Sequence, residues 1–192
     1  MGVAFRMPQP RRFTVEEYLT IERKAASKSE FHMGQILARP SATVNHCAIP
    51  ANVSGSLWPH LRGRNCRMVN SDLRTAVAGG AAIYYPDVSL ICGKPKFHSR
   101  HRDVISNPGL VVEVLSRSTS RYDRLVKVPL YQRTPSVNDI LLVAQDRARV
   151  EHISRNAAGW KTVIHSGLAA TIELAHLDCR LALADVYVNI KV

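Results

Sequence analysis

The spacing of apolar residues changes several times along the chain, and each change marks an element. Thr14 and Glu17 have capping-box spacing, and Val15, Tyr18, Leu19 and Ile21 follow at helical intervals. They predict a helix that ends around Ala26 to Lys28. Phe31 to Ala38 reads as a hairpin turning at Met33-Gly34. Val44 to Leu61 carries Ile49, Val53 and Leu57 on one helical face. Pro50 lies inside that stretch, so the helix should start near it or kink there.

The middle of the chain is strand-like. Arg67 to Val77 alternates, with Met68, Val69, Leu73 and Val77 among polar residues. After the turn signal Gly79-Gly80, Ile83 to Ile91 reads as a second strand interrupted by Pro86-Asp87. Lys94 to Pro108 is polar and basic and reads as a long exposed loop. Gly109 to Leu115 is a short apolar run with one carboxylate in it, as in a buried central strand. Arg121 to Gln132 has a weak helical pattern and Ile140 to Ala144 is another apolar strand. Val150 to His165 reads as a hairpin turning at Asn156 to Gly159, and Leu181 to Tyr187 as a short helix or turn. No internal repeat or linker divides the chain. The expectation is an α/β domain over residues 13–192, preceded by a tail over 1–12.

Composition narrows the class. Of 192 residues, 46% are hydrophobic, which is enough for a real core. No apolar run approaches the length of a membrane span, so no membrane association is expected. Met1 to Arg12 lacks the apolar segment of a secretory signal, and Arg6 breaks the myristoylation pattern that Met1-Gly2 would begin. Cys47, Cys66, Cys92 and Cys179 are far apart and form no C-x-x-C pair. That argues against a zinc site and a disulfide framework, and for a reduced, cytoplasmic setting. The formal net charge of +11 suits a polyanion-binding protein, although charge alone does not separate binding from solubility.

Two carboxylates carry the chemical signal. Glu113 lies within Leu110-Val-Val-Glu-Val-Leu115, where burial costs several kcal/mol unless the acid is paired or binds a metal. A structural ion pair with an arginine explains that strand equally well. Asp87 follows Pro86, which cannot donate to a ladder and so marks an edge or bulge able to aim a side chain into a site. Two strands that each set one acid among apolar residues can bring both acids together, and a divalent cation relieves their repulsion.

The order Pro86-Asp87, Glu113, lysine resembles the PD-(D/E)xK nucleases. Over nearly the whole chain the sequence is similar, more specifically, to the Uma-type putative restriction endonucleases. The matching segments are Phe13 to Leu19, Glu30 to Gly34, Ser71 to Arg74, Tyr85 to Val88, Asn107 to Ser116 and Ser118-Thr119, completed by Asp123-Arg124, Lys127 and Tyr131. The resemblance implies a restriction-endonuclease-like core with a central mixed sheet flanked by helices. It implies that Asp87, Glu113 and the carbonyl of Val114 hold Mg²⁺ or Mn²⁺, that Glu30 joins them in one pocket, and that Lys127 is the catalytic lysine. In the general pattern that lysine sits two residues after the second acid, where this chain has Leu115. His46 and Asp72 match recurring residues that would support the site. Departures are His32 for a usual Asp, Gln35 for a usual Glu, Arg117 for a common Pro, and Pro129, which should break or shorten the helix carrying Lys127.

The implied activity is metal-dependent hydrolysis of DNA, with Lys94, Lys96, Arg100, Arg102, Arg62, Arg64 and Arg67 as candidate phosphate contacts and a homodimer as the assembly. The rivals are a non-cutting nucleic-acid-binding module on the same fold, and a metal hydrolase or assembly protein that never meets DNA. His98 and His101 have no acid near enough in sequence to suggest metal ligation, and the eight histidines otherwise show no ligand spacing.

Overall fold

The computed structural model describes residues 11–39 and 41–192, so most of the expected tail lies outside the described residues. Helix α1 covers Val15–Glu22 and opens on the capping box, with Thr14 Oγ1 accepting from Glu17 N–H and the Glu17 carboxylate accepting from Thr14 N–H. It ends earlier than Ala26. The polar run from Arg23 has nothing to bury, and the Glu22 side chain turns inward to accept from Ser29 N–H and Tyr85 Oη–H. Strands β1 (Ser29–His32) and β2 (Gln35–Ala38) form the expected hairpin. Both of its turn residues, Met33 and Gly34, have positive φ, as a two-residue hairpin turn requires.

Helix α2 runs unbroken over Val44–Leu61, through Pro50 and Pro59. Ile49, Val53, Leu57 and Leu61 are all buried on one side of it. At ~1.5–3 kcal/mol each, their burial outweighs the ~3 kcal/mol that an interior proline costs. Tertiary packing therefore overrides the break that Pro50 signals.

Each of the two expected strand runs, 67–77 and 83–91, divides between two sheets. The first gives β3 (Cys66–Asn70) and β4 (Arg74–Val77), and the second gives β5 (Ala82–Tyr84) and β6 (Val88–Cys92). β4 and β5 lie in a five-stranded sheet of order β2-β1-β5-β4-β7. β3 and β6 lie in a six-stranded sheet of order β11-β10-β9-β8-β6-β3. Pro86, with no N–H to offer a ladder, sits where the chain leaves one sheet for the other. β7 (Val104–Ile105) is buried and pairs in parallel with β4, which corrects the reading of 94–108 as exposed loop throughout. β8 (Leu110–Leu115) is wholly buried and pairs in parallel with β9 (Asp139–Ala144). β10 (Arg149–Asn156) and β11 (Gly159–Ser166) complete that sheet as the expected hairpin.

The chain ends in a second, unexpected hairpin, β12 (Thr171–Leu174) and β13 (Cys179–Ala182), and a short helix, α5 (Leu183–Val186). These elements and α2 cover one face of the six-stranded sheet. The other face packs on Val128, Leu130 and Tyr131 and on Val77, Ala82 and Tyr84 of the smaller sheet. Tyr18 and Leu19 of α1 pack on Phe31, Ala76 and Ile83, the outer side of that smaller sheet. The fold is thus a mixed α/β domain of mixed sheets flanked by helices. Among the described residues no helix is long and apolar enough to cross a membrane.

One expectation is corrected by the strand register. Cys66 and Cys92 are partners in the antiparallel β3–β6 pair and form a disulfide. Their distance in sequence hid a contact that only the pairing creates. The bond closes a loop over a sequence separation of 26 residues, for which the chain-entropy model gives about 3–4 kcal/mol. Cys66→Ser is accordingly expected to lower the urea unfolding free energy of the oxidised protein by about that amount. An unchanged midpoint would show that the bond contributes nothing.

Candidate active site

The site forms where the chain crosses between the sheets. Asp87 lies one residue beyond the last β6–β8 pair, Val88 with Val112, and so comes beside Glu113. Its Oδ2 accepts from the Val114 backbone N–H at 2.7 Å. Its Oδ1 accepts from Arg39 Nη2 at 2.6 Å, and His46 Nε2, in the first turn of α2, lies 3.3 Å from the same oxygen. Desolvation works to raise the Asp87 pKa, but His46, Arg39 and the Val114 N–H together hold it below the usual carboxylate range.

Glu113 points into the layer that contains Val111, Leu115 and Tyr131. Its Oε1 takes Lys127 Nζ at 3.2 Å and the hydroxyl of Tyr131. Lys127 also donates to Glu30 Oε1 at 3.1 Å and lies 3.6 Å from Asp123 Oδ1. Glu30 accepts in addition from the Tyr85 N–H, which ties the hairpin strand β1 to the crossing segment. Lys127 is buried, and three carboxylates, Glu113 foremost, outweigh its desolvation and hold it protonated. Burial pushes the Glu113 carboxyl up to about 8, against the pull of Lys127 and with the added repulsion of Asp123, Asp87 and Glu30.

Pro129 does not displace Lys127. Three helical segments run on without a gap: α3 (Ser120–Tyr122), a π-helical turn over Asp123–Lys127, and α4 (Val128–Gln132). Pro129 directly follows the π-helical turn, inside a helix that runs on, and the widened turn accommodates its missing N–H. The wide turn bonds Val128 N–H back to Asp123 O, and π-turns of this kind gather at functional sites. Asp123, Lys127 and Tyr131 follow at four-residue intervals and converge on Glu113 and Glu30. Tyr131→Phe removes one bond to a buried acid and is expected to cost about 1–3 kcal/mol of stability in urea unfolding. No measurable loss would mean that Lys127 alone satisfies Glu113.

A model of the Uma2 family, described as putative restriction endonuclease, matches residues 15–184. The chain belongs to the Uma2 family. Two uncharacterized proteins of Synechocystis sp. are similar to it. One is 35% identical over 142 residues, 74% of this chain and 80% of its own. The other is 33% identical over 172 residues, 90% of each. The crystal structure of a putative nuclease belonging to DUF820 from Anabaena variabilis shares the fold. It has a TM-score of 0.70 at 18% identity and covers 92% of this chain and 98% of its own.

For this Uma2 protein the structure brings together Glu30, Asp87, Glu113, Val114, Lys127 and His46. The acids do not form one ligand shell, because Glu30 faces Lys127 and Asp87 faces Arg39. Among the described residues no three Asp, Glu, His or Cys side chains are arranged to hold an ion. Asp72 stands apart, on an exposed turn with Lys28 and Asn70. The expected phosphate contacts also lie elsewhere. Arg62, Arg64 and Arg67 follow the far end of α2, on the order of 25 Å from His46. Arg64 and Arg67 are engaged with the carbonyls of Leu177 and Gly93. Lys94 and Lys96 adjoin Asn107, before the N-terminal end of β8. Arg100 lies in a groove against α1, and Arg102 lies over Phe97.

Sequence reasoning missed Arg39, and it named Asp123 and Tyr131 as family-matching residues without giving either a role in the cluster. Tyr131 and Asp123 were legible as a four-residue spacing with Lys127. Arg39 had no local signal. A second polar cluster was also missed. Buried Asp139 accepts from His152 Nε2 at 2.7 Å, and His176 Nδ1 lies 3.3 Å from its other oxygen. It is on the α2 face of the sheet, with Leu141 and Val143, and so opposite Glu113.

Proposed function

We propose that this protein is an endonuclease that hydrolyses phosphodiester bonds in DNA with Mg²⁺ or Mn²⁺. The observation that carries this reading is the juxtaposition of Asp87 and Glu113 at the junction of two sheets, with buried Lys127 on Glu113. The donor set fits a hard divalent ion. Four buried acids, Glu30, Asp87, Glu113 and Asp123, face two permanent cations, Lys127 and Arg39, so the cluster would carry two excess negative charges if all four acids were ionised, a state that a bound cation favours. Among the described residues the hydrogen bonds of Glu113 all fall on Oε1, leaving Oε2 as a ligand atom. Asp87, Glu113 and the Val114 carbonyl would hold the ion, with water completing its shell, as Mg²⁺ prefers.

When bound, the ion supplies positive charge to the scissile phosphate and lowers the pKa of a water. Lys127 keeps its ammonium through its three acids and stabilises charge developing on the phosphate. Glu30 and Asp123 position Lys127. Tyr131 fixes Glu113 by donating to Oε1. Phosphates approaching the C-terminal ends of β8 and β9 meet Arg117 and Arg147, in the loops that leave those parallel strands. Nicking of supercoiled plasmid with Mn²⁺ tests the proposal, and cleavage that chelation stops is the expected result. Salt-sensitive duplex retention with no cleavage of DNA or RNA under any divalent ion would replace it with the non-cutting module.

A further inference from the structure

Asp87 is a proposed metal ligand with no oxygen to spare. Oδ2 is committed to the Val114 N–H at 2.7 Å. Oδ1 carries Arg39 Nη2 at 2.6 Å, with His46 Nε2 at 3.3 Å beside it. Glu113 differs, since both of its partners share Oε1. The pair Arg39–Asp87 is also not an isolated structural bridge. The guanidinium is desolvated, yet it is held charged by Asp87, Glu113 and Glu30 together. It therefore sits in the field of the whole acid cluster, the field a cation would fill. Its backbone is anchored independently, by the Arg39 N–H to Lys28 O. The long side chain can leave without disturbing the β1–β2 hairpin that presents it.

We propose that Arg39 occupies the cation position of the metal-free site and competes directly with the divalent ion for Asp87 Oδ1. The proposal rests on the reading of Asp87 and Glu113 as a metal pair. Two consequences follow. Metal affinity in this chain is set partly by the cost of displacing a guanidinium, and the displaced guanidinium is released beside the scissile phosphate, an oxyanion its geometry suits. Lys127 does not compete in this way, because Glu113 retains its second oxygen.

Titration calorimetry of Mn²⁺ into the full chain tests the competition without relying on cleavage. Arg39→Ala and Arg39→Gln are each expected to bind Mn²⁺ roughly tenfold more tightly than the parent, the effect of losing one charge-assisted competitor. Arg39→Lys, which retains a charge, should fall between them and the parent. Two neutral variants of different size guard against a folding defect in either one, and thermal melts by circular dichroism identify it. Binding by the Arg39 variants alone would support the proposal in its strongest form. If the parent binds Mn²⁺ and both neutral variants bind it equally or more weakly, the competition is overturned while the metal pair stands. If none of these proteins binds Mn²⁺, the metal pair itself is wrong and the competition falls with it.

Discussion

Asp87→Ala and Glu113→Ala are each expected to lower metal-dependent cleavage of plasmid DNA by ~10²–10³-fold or more. Each removes one of the two carboxylates proposed to hold the ion, and among the described residues no three Asp, Glu, His or Cys side chains are arranged to hold one without it. The loss should therefore be severe for either variant alone and hardly worse for both together, as for residues that act as one unit. Binding of duplex at fixed salt should survive, because phosphate contacts come from lysine and arginine rather than from the acids. Asp72→Ala serves as the contrast. Its carboxylate is exposed and pairs with Lys28 away from the cluster, so cleavage should stay near the parental rate. Cleavage by Asp87→Ala and Glu113→Ala at the parental rate would remove the proposed mechanism altogether.

The parts of this site that could be read from the sequence were those with a local physical anomaly. A glutamate within six buried residues of β8 and an aspartate after a proline each break the pattern around them. Glu30 and Lys127 carry no such anomaly, and only the family resemblance singled them out. The rest depended on pairing. Arg39 follows an exposed hairpin residue, and nothing nearby in sequence indicates that its guanidinium reaches Asp87, 48 residues away. The disulfide failed for the same reason, since Cys66 and Cys92 meet only through the β3–β6 register. The runs 67–77 and 83–91 were read as one strand each, and neither alternation in the first nor Pro86-Asp87 in the second reveals that the chain changes sheet midway. Basic residues misled in the opposite direction. Charge counts along the chain located positive segments, but α2 carries Arg62 and Arg64 to the end away from His46.

Lys127→Met is expected to cost the fold more than any acid substitution in the site. The ammonium is buried and is the shared partner of Glu30, Glu113 and Asp123. A methionine leaves those carboxylates facing one another in a dry interior, at about 3–5 kcal/mol for an uncompensated buried charge. For a chain of this size that is roughly a 10 °C fall in Tm. The sign of the pH dependence follows from Glu113. Its folded pKa, about 8, lies above the ordinary 4.5, so its contribution to stability is present below 4.5 and is lost as pH rises through 8. Removing Lys127 raises that carboxyl further. The deficit of Lys127→Met should thus be small near pH 5, where the acids can take up protons, and large near pH 8. Glu113→Gln should behave oppositely. It keeps an acceptor for Tyr131 and leaves Lys127 with Glu30 and Asp123, so it should gain stability relative to the parent as pH approaches 8. Urea unfolding of the three proteins at pH 5 and pH 8 measures both trends. If Lys127→Met matches the parent at pH 8, then Lys127 is not the charge that holds this cluster together.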